Sequence, residues 1–156
     1  MILKGIVEED FTNYKLPVMQ LIFPKCSFKC GKGLCQNSPL ATAPDINFYE
    51  LDIIQKYISN HITHGILCAG FEPLDSPEDL MWFAHLLRKY TDDVLIVFTG
   101  YTEEELQGNV TYIWLSNNIS NLIFKFGRYK PNQQKHYDPV LGIELASSNQ
   151  YGKVVS

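Results

Sequence analysis

The sequence predicts an α/β fold, a mostly parallel sheet assembled from βα units. Three observations carry that expectation. Near-continuous apolar runs recur at residues 16–23, 65–69, 94–98 and 122–126, the pattern of strands covered on both faces. Segments with helix-start signals fall between those runs, which implies crossover connections and parallel pairing. With 156 residues, 46% of them hydrophobic, the chain can bury a core, whereas a closed eight-fold β/α barrel needs roughly 250 residues. One domain over residues 1–156 is expected.

The first strand, residues 16–23, has Pro17 at its start and ends at Pro24, where a cysteine-bearing loop over residues 25–45 begins. Asn47 and Glu50 form a capping-box candidate opening a helix to about Ser59, with Leu51, Ile54 and Ile58 as its inner stripe. Residues 65–69 form the second strand. Ser76, Pro77, Glu78 and Asp79 are a strong helix start, with Ser as N-cap, Pro at the first helical position and acids in the first turn, and that helix runs to about Tyr90. Residues 94–98 are the clearest strand. Thr102 and Glu105 form another capping box. Residues 110–118 fit a short helix or a strand, residues 122–126 a fourth strand and residues 140–145 a possible fifth. In a parallel sheet all carboxyl ends share one edge, where α/β proteins build their sites. The segments past those ends are 25–35, 69–73, 99–101 and 127–129, and they hold the chain's oddest residues.

Charge sharpens the picture. The net charge is −4, yet residues 11–44 carry four lysines and no acid, while residues 45–120 carry three bases against twelve acids. Lys25, Lys29 and Lys32 make the cysteine loop cationic, which suits thiolates or an anionic cluster, although solvation alone explains surface lysines. The acidic total argues against a nucleic-acid partner. No stretch approaches the ~20 apolar residues of a membrane span, and the start turns acidic too early for a signal peptide. The expected setting is the cytoplasm, with no membrane partner.

Three of the four cysteines, Cys26, Cys30 and Cys35, lie within ten residues. A disulfide scaffold spreads its cysteines to close loops instead. Gly31 and Gly33 let the loop turn its sulfurs inward. Three thiolates can hold an iron–sulfur cluster with one iron left without a cysteine. Zinc is the rival, its fourth ligand coming from Cys68 or from His61 or His64. By itself Cys68 reads as a small buried hydrophobe.

Four stretches then carry a resemblance. Cys26, Cys30 and Cys35 are followed by Gln36-Asn37; Ala69-Gly70-Phe71-Glu72-Pro73-Leu74 follows the second strand; Phe98-Thr99-Gly100-Tyr101 leads to Glu105-Leu106; and Phe126-Gly127-Arg128-Tyr129 precedes Asp138-Pro139 and Ser147-Ser148-Asn149-Gln150. In this order they resemble the radical S-adenosylmethionine superfamily, most closely the small activating proteins of anaerobic (class III) ribonucleotide reductase. The chain departs from that pattern in its C-x3-C-x4-C spacing, in Leu34 before the last cysteine, in Phe71 inserted before the acid, in Phe126 for an Asp and in Arg128 for a Lys.

The resemblance implies a [4Fe–4S] cluster on Cys26, Cys30 and Cys35 and S-adenosyl-L-methionine as cofactor, its methionine amino and carboxylate groups on the fourth iron. It implies further that Glu72 receives the ammonium, that Gly70 admits close approach of the ligand, that Thr99 and Gly100 line the ribose, and that Arg128 pairs with the carboxylate. The implied activity is generation of a glycyl radical on anaerobic ribonucleotide reductase, with a flavodoxin- or ferredoxin-like electron donor. The alternatives are an activator of another glycyl-radical enzyme, a peptide modifier, or a non-catalytic zinc or iron–sulfur module. The architecture expected on these grounds is an incomplete, open TIM-like barrel whose mouth faces a large protein substrate.

Overall fold

The computed structural model describes residues 1–156, with every side chain but that of Lys32. In chain order the elements are β1 (Ile2–Leu3), β2 (Gly5–Asp10), β3 (Val18–Phe23), β4 (Ile46–Asn47), α1 (Glu50–Ser59), β5 (Gly65–Gly70), α2 (Pro77–Leu87), β6 (Val94–Phe98), α3 (Val110–Asn118), β7 (Leu122–Phe126), β8 (His136–Asp138), β9 (Ile143–Leu145) and β10 (Tyr151–Val154). Six strands form the main sheet in the order β10-β7-β6-β5-β3-β2. The inner four run parallel, and β2 and β10 pair antiparallel at its two edges.

The expected TIM-like barrel, even an incomplete one, is thereby corrected. The chain is short and has only three α-helices, and the sheet is mixed. An antiparallel strand ends the parallel run on each side, so the sheet stays open. The order β3-β5-β6-β7 advances one strand at a time. Right-handed crossovers along such an order place every helix on one face. That face carries the larger core: Met19, Leu21 and Phe23 of β3, Leu95 and Val97 of β6, and Phe124 and Phe126 of β7 pack with Ile53, Ile54, Leu80, Phe83 and Leu115 of the helices.

No helix covers the opposite face. Val18, Leu67, Val94, Ile96 and Ile123 there pack under Tyr14, Leu141 and Leu145, contributed by the β2–β3 connection and the separate β8–β9 hairpin. Asp138 pins this cover to the sheet edge: Oδ1 accepts from the Leu141 N–H at 2.8 Å and Oδ2 from the Gly152 N–H of β10 at 2.8 Å. The helix-free face is therefore covered by chain, while the carboxyl ends of the parallel strands stay open to solvent.

Local expectations fared unevenly. β6 and β7 coincide with the expected runs, and residues 110–118 are a helix, its N-cap Asn109 accepting from the Tyr112 N–H at 2.9 Å. Helix α1 is capped by Tyr49, not Asn47. It buries Ile53, Ile54 and Tyr57 and leaves Leu51 and Ile58 exposed, a rotation of the expected stripe. Thr102 and Glu105 exchange both capping-box hydrogen bonds, at 2.9 and 3.2 Å, yet only turns follow, because Gly108 at φ 84° ends any helical course. Among the described residues no helix is long and apolar enough to cross a membrane.

Candidate functional site

A cavity of about 370 Å³ opens to solvent at the carboxyl ends of the parallel strands. Cys26, Cys30, Cys35, Gly70, Glu72, Thr99, Gly100 and Arg128 all line it, so every site residue expected from the sequence reaches one place. The pairing explains why. Phe23 lies opposite Gly70, and Phe98 opposite Lys125, so the ends of β3, β5, β6 and β7 finish together. Thr12, Asn13 and residues 143–146 build the outer wall.

Several contacts hold the cysteine loop over the ends of β3 and β5. The Lys25 carbonyl accepts from the Glu72 N–H at 2.8 Å. The Ser27 N–H donates to Asp75 at 2.7 Å, and the Tyr101 hydroxyl donates to the other oxygen of Asp75 at 2.9 Å. Phe28 packs edge-on against Phe71 with ring centres 5.3 Å apart, and the Lys29 ammonium lies 4.6 Å from the centre of the Tyr101 ring. The Asn37 side chain donates to the Gly70 carbonyl. Gly70 itself has φ +94°, and a Cβ there would meet Ile22 at 2.7 Å, so glycine is what allows this turn. Sequence reasoning missed Asp75 and used Tyr101 only as part of a motif; a conformational clip between distant loops leaves no local pattern. Of the three loop lysines expected to offset thiolate charge, Lys32 has its side chain outside the described residues.

All four cysteines are free. Cys26, Cys30 and Cys35 are partly buried. Desolvation raises the thiol of Cys26, with a Phe28 N–H opposing it and Glu72 and Asp75 adding to it. Desolvation also raises Cys30, with Cys35 adding to it. Both are therefore held as thiols at neutral pH. Cys68 sits in the helix-face core, wholly buried, and desolvation pushes its thiol far up. His61 and His64 precede β5 and so stand at its amino end, roughly 16 Å from the cysteine end by strand rise alone. None of the three zinc-ligand candidates reaches the loop. Among the described residues no group of three or more His, Cys, Asp or Glu is arranged to hold a metal ion. The donor set, three free thiols lining one cavity, is by its chemistry the one that a cluster with three cysteine ligands would use.

Glu72 is buried at the cavity floor, 6% exposed. Oε2 accepts from the Gly100 N–H at 2.8 Å, Oε1 from the Leu74 N–H at 3.2 Å, and the Thr99 hydroxyl also donates. Desolvation outweighs these donors and pushes the carboxyl up to about 7. Arg128 forms a two-pronged pair with Glu105, at 2.8 and 2.9 Å, and lies over the Tyr101 ring at 5.5 Å. That guanidinium holds Glu105 well below the usual carboxylate range.

Lys125 also lines the cavity, and sequence reasoning passed over it as part of an apolar run. It alternates to the helix-free face beside Phe98, 5.5 Å from that ring's centre, and its ammonium donates to the Gly127 carbonyl at 3.2 Å. Desolvation pulls it down to about 8, with Glu72 opposing. Residues 147–150, whose role the sequence left open, brace this strand exit. The Asn149 amide donates to the Arg128 carbonyl at 2.8 Å and the Gln150 amide to the Gly127 carbonyl at 3.2 Å. At Gly127, φ +97°, a Cβ would strike the Asn149 carbonyl at 2.8 Å.

No family model matches this chain, and neither a curated protein nor a solved structure matches it.

Proposed function

We propose that this chain is an iron–sulfur activating protein of the radical S-adenosylmethionine type. The observation that carries the reading is that three free cysteines from one loop and the buried carboxylate of Glu72 line a single cavity at the carboxyl ends of four parallel strands. Cys26, Cys30 and Cys35 would hold a [4Fe–4S] cluster. Glu72 is fixed by N–H donors on both oxygens, so it would keep its place while accepting from a ligand ammonium. Gly70 would admit ligand atoms against the backbone, and Thr99 with Gly100 would line the ribose. The chemistry that the cluster on Cys26, Cys30 and Cys35 would supply there when reduced is one electron to the sulfonium of S-adenosyl-L-methionine, which would give methionine and a 5′-deoxyadenosyl radical. Residues 143–146 would form the outer wall of the space in which the radical would arise.

The proposed target is a backbone glycine of a glycyl-radical enzyme, with the large subunit of anaerobic ribonucleotide reductase first and a flavodoxin- or ferredoxin-like protein as electron donor; the proposed setting is the cytoplasm. Anaerobic reconstitution with iron and sulfide, then dithionite and S-adenosyl-L-methionine, tests the chemistry. The expected result is about four irons per chain and release of 5′-deoxyadenosine. Zinc at one per chain without iron or sulfide, or no 5′-deoxyadenosine from a fully loaded cluster, overturns it.

A further inference from the structure

Two groups of opposite charge face the cavity without pairing with each other. Glu72 takes its hydrogen bonds from Leu74, Gly100 and Thr99. Lys125 has one hydrogen-bond acceptor among the described residues, the Gly127 carbonyl at 3.2 Å, although an ammonium carries three donors. Arg128 is in the opposite condition. Both of its terminal nitrogens donate to the two oxygens of Glu105, which offsets its charge, and its face lies on Tyr101. Lys125 and Arg128 are the cations of the cavity lining among the described residues, and of the two only Arg128 is paired with a carboxylate there, so the unpaired positive charge belongs to Lys125.

A carboxylate and an ammonium on one cavity, each with bonding capacity left, are complementary to a zwitterion. We propose that Lys125 is the carboxylate-binding residue of this cavity, that its ligand class is an α-amino-acid zwitterion carried on a larger group, and that Arg128 instead braces the rim through Glu105. This rests on the reading that the cavity takes S-adenosyl-L-methionine, and it assigns the carboxylate contact to a residue outside the matching motifs. A ligand ammonium beside Glu72 and a ligand carboxylate beside Lys125 each favour the charged form of the protein group they meet. A carboxylate offers about four lone-pair sites, so contact with Lys125 is compatible with a metal contact through the other oxygen.

The test is equilibrium dialysis under anaerobic conditions of S-adenosyl-L-methionine and its decarboxylated analogue, which differ only in the carboxylate, against the reconstituted protein. Lys125→Met should weaken binding of the carboxylated ligand about 10- to 100-fold, the worth of a hydrogen bond to a charged group, and change binding of the decarboxylated ligand less than about twofold. The preference for the carboxylated ligand narrows accordingly. Arg128→Gln should keep the wild-type preference. Equal weakening of both ligands in Lys125→Met, no weakening of either, or a narrowed preference in Arg128→Gln overturns the proposal. Should Lys125→Met not fold, Lys125→Gln takes its place with the same expected and overturning outcomes, and a narrowed preference in Arg128→Gln still overturns the proposal. A reconstituted wild-type protein that binds neither ligand sinks the S-adenosylmethionine reading itself, an outcome distinct from the other three.

Discussion

The two faces of the sheet are made by the same strands and are chemically unlike. On the helix face every inward residue is apolar from one end of the strand to the other: Met19, Leu21 and Phe23 on β3, Leu122, Phe124 and Phe126 on β7. The opposite face begins apolar, with Val18, Leu67, Val94 and Ile123, and carries Gln20 and Lys125 toward the carboxyl ends, where they meet the cavity together with Glu72 and Thr99 from the loops beyond β5 and β6. One face is a core, while the other is a core that grades into a site. The cysteines make the same point. A thiol on the helix face, Cys68, is sealed among hydrocarbon. Three thiols past the strand ends stay partly buried and reachable by a metal.

The largest expected effect comes from exchanging lesions between the faces. Cys26→Ala, Cys30→Ala or Cys35→Ala should abolish iron and sulfide uptake. Each should leave urea unfolding of the metal-free protein within about 1 kcal/mol of wild type, because these side chains fill no packed core. Phe124→Ala on the helix face empties a fully buried position and should cost about 3–5 kcal/mol, while the folded fraction still takes up iron. Cys68→Ala should keep iron uptake as well. Iron loss in Cys68→Ala would join the two faces into one functional unit and break the comparison.

Legibility in the sequence follows the same division. The helix face announces itself through unbroken apolar runs, and β6 and β7 fall on their expected residues. The motif residues were legible too, since Cys26, Cys30, Cys35, Glu72 and Thr99 do line one cavity. The edges were not. β2 reads as an acidic start and β10 as a polar tail, because a strand covered on one side carries no apolar run. Missing them is what let a barrel be expected in place of an open mixed sheet. Lys125 was hidden for a related reason. Within Leu-Ile-Phe-Lys-Phe one lysine looks like an interruption, and only the two-residue alternation of β7 places it with Ile123 on the graded face.

An intermediate effect separates the faces by pH. Glu72 titrates at about 7 in the folded protein against 4.5 for an ordinary glutamate, chiefly through desolvation. The folded state therefore holds its proton where the unfolded chain has lost it. The stabilisation is fully present below pH 4.5 and is lost as pH rises through about 7. Between about pH 5 and about pH 7 this one group should remove ~2 kcal/mol from the ligand-free protein. Lys125, depressed to about 8, titrates above that window. Urea unfolding of Glu72→Gln at the two pH values should lack this loss, and an equal loss in Glu72→Gln would place its origin elsewhere. On the helix face Tyr57 is held protonated throughout by burial and by Asp93, so Tyr57→Phe should leave the slope unaltered.

The smallest effect tests how separately the two faces are held. Tyr101→Phe removes the hydroxyl that donates to Asp75 and also meets the Ser27 hydroxyl at 3.4 Å, leaving the Ser27 N–H as the remaining tie of that carboxylate to the cysteine loop. Asn109→Ala removes the acceptor that caps α3 at the Tyr112 N–H. Each deletes one partly buried hydrogen bond, Tyr101→Phe a long exposed one besides, and each should cost about 1 kcal/mol, so global stability does not tell them apart. Local opening does. Amide exchange across residues 26–35 should quicken by up to about tenfold in Tyr101→Phe, the factor that 1.4 kcal/mol carries when the bond lost holds that segment alone. In Asn109→Ala the same amides should exchange as in wild type, and those of residues 110–113 should quicken instead. If capping α3 loosened the cysteine loop as much as unclipping Asp75 does, the loop's order would come from the helix core beneath the sheet, and the site would lack an anchorage of its own.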